Sequence, residues 1–490
     1  MLFKFEDMMG KRIYILIVIL IAGNLSCNSL KNDNLQKRLL LSVLGTVVPP
    51  PPEGAFQLSQ FGITWYFDAE YEYGQFANGD YWVVGPVHVI YIDPLSYRSM
   101  YGRVKNGSMI NPSPRNGSTQ GYDSSMYGQY GPNYDPDLNA AMPGREILSE
   151  KNPLILQPNT SLISTISLPD AGNRPQLETA AILTVLDSAP PEGSFRPPYC
   201  GSDKTIRFGV SDLQTALLHS LPPVAETPGL GTVERHFERP WIDHVPNWVG
   251  RYIHPSSNMP DYGREIATQI GEGALMLHLD FSDTEKEALL VRYVQLGIDL
   301  YGVVMDGGEW NWPPNGGHSS GRKWPILFAG LMLDSADMTD IGLRDDVHFG
   351  EDGQTFSVSE EDIAMVHDPD ERACRLEYED ADLNLPEWGI VHSTDPIRDN
   401  KNWDATYRRC CTANAWAGFV LAALIMNQKA NWNHDPLFDY MDRYMAIEEQ
   451  GTWMRQWSDF AENMWDHYRA GYGTVWTKAN LTDGIFECSE

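Results

Sequence analysis

Three stretches in the second half of the chain are apolar on almost every side of a helix. They are residues 264–279, 325–333 and 412–426. A helix without a continuous polar face has to be covered on all sides. None of the three has the roughly 20 uninterrupted apolar residues that a membrane span needs. The chain must therefore build a folded body thick enough to enclose several central helices.

An amphipathic helix alternates with these buried segments. It is predicted over residues 285–304, where apolar and charged residues are mixed. Ser282 and Glu285 ahead of it match a capping box, in which each side chain accepts a hydrogen bond from the backbone of the other residue. An alternation of fully buried helices with amphipathic helices is typical of two concentric layers of helices. We predict a mainly α fold, an α/α toroid built as an incomplete double ring of helices; a globular bundle with a few central helices is the alternative.

The part of the chain before these helices has a different pattern. Residues 61–67, 81–92 and 161–167 are rich in β-branched and aromatic residues. Asn-Gly pairs and many prolines, which form turns, lie between them. We therefore predict a β-rich N-terminal region over residues 55–205, followed by the α/α-toroid domain over residues 206–490.

The first 54 residues are predicted to be a targeting leader and a spacer. Two basic residues precede the apolar run Ile13–Ala22, and Cys27 follows a Leu-Ser pair. This layout is typical of a secretory signal peptide, and the cysteine resembles the acylated residue of a bacterial lipobox; a plain secretory cut near this point is the alternative. We predict a lipoprotein signal peptide over residues 1–27 and a proline-rich tether over residues 28–54. The mature protein would be exported and held at the membrane by lipid alone, in the periplasm or at the cell surface.

The net charge and the spacing of the histidines and cysteines argue against a nucleic-acid partner and against a metal site. The chain has 66 acidic residues against 36 Lys and Arg, a formal net charge of -30. A nucleic-acid-binding surface has to be basic, so no nucleic-acid partner is expected. The histidines are scattered and the cysteines match no zinc spacing, so no metal site is expected. Cys410 and Cys411 are chain neighbours and are expected to pack or to pair elsewhere rather than with each other.

Each buried helix is preceded by a segment rich in Tyr, His, Arg and Trp. The segments are residues 248–265, 310–324 and 403–411. Each also has a purely structural explanation, as a capping turn, as packing, or as ion pairs with neighbouring carboxylates. In a toroid, the ends of the inner helices on one side converge on a central cleft. A cleft with aromatic rings, arginines and a histidine suits a sugar polymer, and the local cations favour an acidic one.

The second half of the chain resembles the helical-toroid polysaccharide lyases, the group that includes alginate and glucuronan lyases. The segment Asn315-Gly316-Gly317-His318-Ser319 ahead of a buried helix is similar to the Asn/His segment of that group, although some members have Asn and His adjacent. Tyr407 with Arg408 or Arg409 is similar to its later Arg/Tyr pair. The resemblance covers roughly residues 230–470. It implies cleavage of a uronic-acid-containing polysaccharide by β-elimination, without a metal or organic cofactor.

The resemblance also implies roles for single residues. Asn315 and Arg409 (or Arg322) would neutralise the uronate carboxylate. His318 or Tyr407 would take the C5 proton, and a tyrosine hydroxyl would return a proton to the glycosidic oxygen. The predicted catalytic residues are His318, Tyr407, Arg409 and Asn315. The predicted substrate-binding residues are Arg322, Lys323, Trp310, Trp312, Arg408, His254, Tyr262 and Arg264.

Two other functions stay open. A glycoside hydrolase would use two carboxylates that face each other across the cleft. The available acids are Asp261, Glu265, Asp306, Glu309 and Asp404. Because the chain has so many acidic residues, such a set discriminates poorly. The other possibility is a non-catalytic glycan-binding lipoprotein that hands a polymer to a transporter.

Overall fold

The computed structural model describes residues 51–125, 131–142, 144, 146–172, 174–364, 378–391 and 406–477. Cys27, the predicted signal peptide and most of the predicted tether lie outside these residues, as does Asp404. The strands are β1 (Gln57–Gln60), β2 (Ile63–Phe67), β3 (Tyr73–Gln75), β4 (Tyr81–Val84), β5 (Val87–Asp93), β6 (Tyr97–Arg98), β7 (Val104–Lys105), β8 (Ser108–Ile110), β9 (Thr119–Gln120), β10 (Asn133–Tyr134), β11 (Leu154–Leu156), β12 (Thr160–Ser167), β13 (Leu177–Leu186), β14 (Thr355–Ser357) and β15 (Pro386–Trp388).

The α-helices follow the first thirteen strands, and two short strands lie among them. The helices are α1 (Leu230–Phe237), α2 (Gly263–Leu277), α3 (Asp283–Met305), α4 (Lys323–Met332), α5 (Ala336–Thr339), α6 (Gly350–Gly353), α7 (Glu360–Ala364), α8 (Thr406–Cys410), α9 (Ala417–Ile425), α10 (Lys429–Trp432), α11 (Asp435–Ile447) and α12 (Asp459–Tyr468).

Two larger sheets organise the N-terminal region. One has the strand order β1-β2-β5-β11 and is antiparallel throughout. The other has the order β3-β4-β13-β12-β8, in which β13 runs parallel to β4 and the remaining pairs are antiparallel. Three two-stranded sheets, β6-β7, β9-β10 and β14-β15, complete the set among the described residues.

The five-stranded sheet is the middle layer of the molecule. Leu162 of β12 and Leu183 of β13 pack with Trp65 of β2 in a core between the two larger sheets. Ile163, which follows Leu162 in β12, and Ile182, which precedes Leu183 in β13, belong to the core formed with the helices. Successive side chains of a strand point to opposite faces, so these strands are apolar on both sides. The helices therefore pack on one face of a sheet whose other face belongs to a β-sandwich.

The prediction of a mainly α toroid is wrong. The described chain has fifteen strands in five sheets, and its helices lie mostly in the C-terminal half. A helix that is apolar on every side has to be enclosed, but its pattern does not say whether helices or a sheet enclose it. Here the core that contains α2, α4 and α9 also contains side chains of β12 and β13. The sheet thus covers part of what an outer ring of helices was expected to cover.

Local signals in the helical half agree with the structure. Ser282 Oγ accepts a hydrogen bond from the N–H of Glu285 at 3.3 Å, and Ser282 N–H donates to Glu285 Oε2 at 2.9 Å, so the capping box at the start of α3 is confirmed. By length and composition, α3 passes the test for a helix that can cross a membrane, but 78% of its most apolar window is buried within the protein. Its apolar residues, such as Leu289 and Val294, belong to the helical core.

Candidate functional site

Three chain segments meet where predicted site residues are concentrated. They are the start of α2 at Gly263, the segment before α4 at Gly317, and the turn before α9 at Cys411. A Cβ atom on Gly263 would overlap the carbonyl oxygen of Gly317, and a Cβ atom on Gly317 would overlap the carbonyl oxygen of Cys411. Glycine at both positions lets these backbones touch. The sequence predicts that segments preceding buried helices converge, and these three do so without a toroid.

His318 lies at this junction, half-buried among aromatic rings. The edge of the Tyr262 ring meets it at a centroid distance of 5.0 Å, and the Trp248 ring is 6.4 Å away. Nη1 of Arg251 lies 3.5 Å from Nδ1 of His318. A guanidinium can only donate, so the Nδ1 lone pair faces the arginine. We call His318, Tyr262, Arg251, Trp248 and Tyr407 the His318 cluster.

Tyr407 adds a second phenol to the cluster, beside Tyr262. Burial, together with the neighbouring Tyr407, raises the pKa of Tyr262 to about 12, against the opposing effect of the Arg264 guanidinium. The carbonyl of Tyr407 accepts hydrogen bonds from the N–H of Cys411 at 3.0 Å and from Thr412 Oγ1 at 3.1 Å, which fixes this turn. A phenol with this pKa keeps its proton at neutral pH. Tyr262 is therefore better suited to donating a proton than to taking one.

Arg251 has no carboxylate within salt-bridge distance among the residues that the structure describes. Its guanidinium lies 5.6 Å from the centroid of the Trp248 ring, and among the described residues its buried Nε has no hydrogen-bond partner. Burying a cation without a partner is costly, and the arginine fork matches a carboxylate. Arg251 is thus the member of the cluster best suited to holding an anionic ligand. The sequence prediction from the segment 248–254 is His254 instead.

Arg264, a predicted substrate-binding residue, is engaged with protein groups. Its Nε donates to Oε1 of Glu265 at 3.2 Å, its Nη2 reaches the same oxygen, and its Nη1 donates to the carbonyl of Cys410. The guanidinium lies 3.7 Å from the ring centroid of Trp457 and 5.0 Å from that of Trp453. Arg264 therefore holds Trp453 and Trp457 in place beside the His318 cluster, and it offers no free positive charge. We call Trp453, Trp457 and Arg264 the rim of the site.

Cys410 and Cys411 form a disulfide with each other. This corrects the expectation that they pack or pair elsewhere. The expectation rested on the short distance between neighbouring Cα atoms, 3.7 Å here, against the wider spacing of most disulfides. The carbonyl of Cys410 binds Arg264 and that of Cys411 faces Gly317, so the bridge lines the junction. Cys200 is a free, buried cysteine.

Three other predicted site residues lie in a separate buried network. Arg322 Nε donates to Oδ2 of Asp243 at 2.9 Å, Trp312 Nε1 donates to the same oxygen at 3.1 Å, and His254 Nε2 lies 3.4 Å from Oδ1. Burial acts to raise the pKa of Asp243, but Arg322 and His254 outweigh it and hold the pKa at about 2. We call these four residues the Asp243 network. Its charged groups are paired with one another, so the network has no free charge to offer a ligand.

Three predicted cations are also bound inside the helical body. Nζ of Lys323 donates to Oδ2 of Asp352 at 2.5 Å, and Nε of Arg409 donates to Oε1 of Glu448 at 2.8 Å. Arg408 is entirely buried. The contacts that the described residues show for Lys323 and Arg409 are with carboxylates and not with His318.

The last two predicted residues make contacts of their own. Trp310 is 63% exposed and stacks on His348 with the ring centroids 3.5 Å apart. Nδ2 of Asn315 donates to Oδ1 of Asn247 at 2.7 Å, which occupies the amide. Neither side chain contacts the His318 ring in the described part of the chain.

Sequence reasoning thus found part of the cluster and missed part of it. Two of the four predicted catalytic residues, His318 and Tyr407, lie together with Tyr262 from the substrate-binding set. It missed Arg251, Trp248, Trp453 and Trp457. The last two form a Trp-x-x-x-Trp pair shortly after a glycine at position 451, a signal that the sequence offered.

A cavity of about 450 Å³ lies elsewhere, between the C-terminal end of α3 and the loop 195–208. Its volume suits a small molecule. Its walls combine apolar side chains with charged ones such as Asp203, Arg207 and Asp337, and Asp306 is paired to Arg115 at 3.2 Å. No histidine is among its described lining residues. An imidazole, two phenols and a guanidinium meet only in the His318 cluster among the described residues, so we place the candidate site there.

The His318 cluster combines an imidazole, two phenols and a guanidinium that has no carboxylate partner among the described residues. Among the described residues, no three His, Cys, Asp or Glu side chains are grouped so as to hold a metal ion. The chemistry that the cluster's own side chains support is proton transfer next to a bound anion. No family model, curated protein or solved structure matches the chain.

Proposed function

We propose that the chain is a polysaccharide lyase that cleaves a uronic-acid-containing polysaccharide, of the alginate or glucuronan type, by β-elimination. The observation that supports this most is Arg251, a half-buried arginine without an acid partner in the described chain and in contact with His318. A uronate carboxylate held by this guanidinium would have its C5–H next to the imidazole. Arg322, by contrast, is paired with the Asp243 carboxylate and has no charge to offer a ligand.

In the first step, the C5 proton is removed. This proton is weakly acidic, because the adjacent carboxylate opposes a further negative charge. Arg251 would neutralise the carboxylate and stabilise the enolate-like intermediate. When the carboxylate binds the guanidinium in place of the imidazole, the Nδ1 lone pair of His318 would accept the proton.

In the second step, the bond between C4 and the glycosidic oxygen breaks. The electron pair left at C5 forms the C4–C5 double bond, and the leaving oxygen takes a proton from Tyr262. The pKa of about 12 that burial gives Tyr262 keeps this proton in place at neutral pH. Proton exchange with solvent then restores His318 and Tyr262. Tyr407, the second phenol, is the alternative donor.

Hydrolysis fits this site less well. A hydrolase needs two facing carboxylates, and the described acids beside the cluster are paired: Glu265 with Arg264, and Asp261 with an arginine 3.8 Å away. The second candidate is glycan binding without catalysis, which is favoured by the exposed ring of Trp453 at the rim. It predicts binding without product.

The test uses protein without residues 1–27, mixed with alginate, glucuronan or polygalacturonate. Ultraviolet absorbance of the new C4–C5 double bond should rise with the wild-type protein. His318→Ala and Tyr262→Phe should each lower the rate by about 10²- to 10⁴-fold, as expected for the loss of a general base or acid. His348→Ala is the matched control: His348 is also half-buried against a tryptophan ring, but it lies outside the cluster.

Two other results would reject the lyase, and a third would reject only its proposed site. Reducing ends without absorbance would indicate a hydrolase. Polymer binding without any product would indicate a glycan-binding protein. Absorbance that survives in His318→Ala would leave a lyase but place its chemistry elsewhere in the chain.

A further inference from the structure

Trp453 combines two unusual properties beside the His318 cluster. Its side chain is 52% exposed, and its φ of 69° lies in the left-handed region. A bulky L-residue rarely adopts this region, because its Cβ is crowded there. The following residues, Arg455 and Gln456, are buried and bound to Glu462, so the surrounding turn is fixed. A strained backbone that presents an apolar ring to solvent is a feature found at ligand-binding sites.

The ring of Trp453 is held in a defined position. It meets the Trp457 ring edge-on, with the centroids 4.5 Å apart and the planes at 84°. The Arg264 guanidinium lies against both rings and is itself bound by the Glu265 carboxylate and the Cys410 carbonyl. The position of Trp453 is thus fixed by contacts and not by exposure alone.

The same contacts connect this aromatic pair to the reactive centre. Arg264 lies 5.5 Å from the centroid of the Tyr262 ring, and Tyr262 meets His318. The half-buried Cys410–Cys411 bridge, whose Cys411 carbonyl faces Gly317, also contacts this junction. Three successive contacts, each of 5.5 Å or less, thus link the Trp453 ring to the His318 ring.

The chemistry of this rim defines what it can bind. A tryptophan face stacks on the C–H face of a sugar ring through apolar contact. The positive charge of Arg264 is neutralised by Glu265, so the rim provides no net charge for a carboxylate. The ligand group that fits is therefore the apolar face of a pyranose ring, whether or not that sugar has a carboxylate.

We propose that Trp453, backed by Trp457 and Arg264, is a stacking subsite for a pyranose ring of the polymer that lies next to the sugar held at His318. This proposal rests on the proposed function. It also assigns recognition of charge to Arg251 and recognition of the ring to Trp453.

The experiment compares Trp453→Asn, Trp453→Phe and Tyr73→Asn. Asn tolerates the left-handed region, Phe keeps an aromatic ring, and Tyr73 is an aromatic residue of similar exposure, 48%, in the N-terminal sheet. Trp453→Asn should raise KM for the polyuronate by about three- to tenfold and leave kcat within about twofold. Its Tm should not fall, because the substitution relieves backbone strain. Phe should restore most of the affinity, and Tyr73→Asn should behave as wild type.

A second measurement separates this proposal from the proposed function. Polymer binding is measured by affinity electrophoresis in glucuronan and in dextran. Each protein in this measurement also has the substitution His318→Ala, which stops turnover. If the wild-type protein forms no product but polymer binding depends on Trp453, the lyase proposal fails and the subsite stands. The subsite is overturned if Trp453→Asn matches Tyr73→Asn, if Tm and kcat fall together, or if Phe does not rescue. The absence of binding to every polymer overturns both proposals.

Discussion

In the Asp243 network, an arginine, a histidine and an indole N–H converge on one buried carboxylate, whereas in the His318 cluster an arginine and a histidine meet without one. Both regions contain Arg, His and Trp, and both draw on the segment between α3 and α4. Arg322 lies 2.9 Å from Asp243 and is buried. Arg251 is half-buried and faces Nδ1 of His318 at 3.5 Å.

The difference teaches that an arginine's role is decided by the acids within its reach. In the Asp243 network the positive and negative charges neutralise each other, so the site has nothing to offer a ligand. In the His318 cluster the guanidinium is uncompensated within the described chain, so an anionic ligand would supply the missing charge. Exchanging Arg for Ala in each region should separate stability from catalysis.

The largest effect is expected from Arg322→Ala. It leaves the Asp243 carboxylate buried without its principal cation, which should lower the free energy of unfolding by about 3–5 kcal/mol. Urea denaturation measures this. In the same assay, Arg251→Ala should cost no more than about 1 kcal/mol, because no ion pair is lost. Equal losses in the two variants would remove the distinction between the regions.

The next effect is expected on the rate of elimination. Arg251→Ala should lower kcat by about 10²- to 10³-fold, the usual cost of removing one group that stabilises developing negative charge. Arg251→Lys should recover part of the rate, since it keeps the charge but loses the fork. Initial rates on a polyuronate give both values. An unchanged kcat with a raised KM would mean that Arg251 only binds substrate.

Part of the site was predictable, because its signals are local. His318, Tyr407 and Tyr262 lie in aromatic and basic segments directly before apolar helices, and those helix starts meet in space. The choice between Arg322 and Arg251 was not predictable. It depends on Asp243, 79 positions from Arg322 in the chain, and no local pattern contains that partner.

The fold was predictable to a similar degree. The three apolar helical segments exist, with bounds within a few residues of those expected, and so does the strand-rich region before them. The error concerned what covers the helices. The two-sided apolar pattern of β12 and β13 is the signal that the sheet has helices on its second face.

A smaller effect, a gain in stability and not a loss, is expected from substitution of Glu351. This residue contacts the segment between His318 and Arg322, which joins the two regions. Its Oε2 accepts a hydrogen bond from the N–H of Gly321 at 3.2 Å. Burial, and then the nearby Asp352, raise the pKa of Glu351 from 4.5 to about 7. A folded-state pKa above the unfolded value gives stability that is complete below pH 4.5 and is lost as the pH rises through 7.

Glu351→Gln keeps an acceptor for Gly321 and removes the charge. It should therefore raise the free energy of unfolding by about 3 kcal/mol at pH 8, at about 1.4 kcal/mol per pKa unit. Asp346→Asn, at an exposed carboxylate, is the control. A variant that is less stable than wild type at pH 8 would show that the carboxylate is needed as a charge.

The smallest effect concerns the stability of the Asp243 region at low pH. His244 follows Asp243 in the chain, its ring is buried edge-on to Tyr122 and Tyr199, and neither ring nitrogen has a hydrogen-bond partner among the described residues. Burial lowers the pKa of His244 from 6.5 to about 4, against the pull of Asp243. Below pH 6.5 His244 therefore binds a proton in the unfolded chain but stays neutral in the folded chain. The stability that this histidine contributes is complete above pH 6.5 and is lost as the pH falls towards 4.

His244→Phe tests this with a ring of similar shape that cannot be protonated. Between pH 8 and pH 5, the wild-type free energy of unfolding should lose about 2 kcal/mol that the variant keeps. The quantity to compare is the difference between the two proteins at each pH, because Glu351 acts in the opposite direction over an overlapping range. A difference that stays constant with pH would mean that His244 binds its proton as readily in the folded protein as in the unfolded chain. The buried region around Asp243 would then tolerate an added charge, and its contrast with the His318 cluster would rest on Arg251 alone.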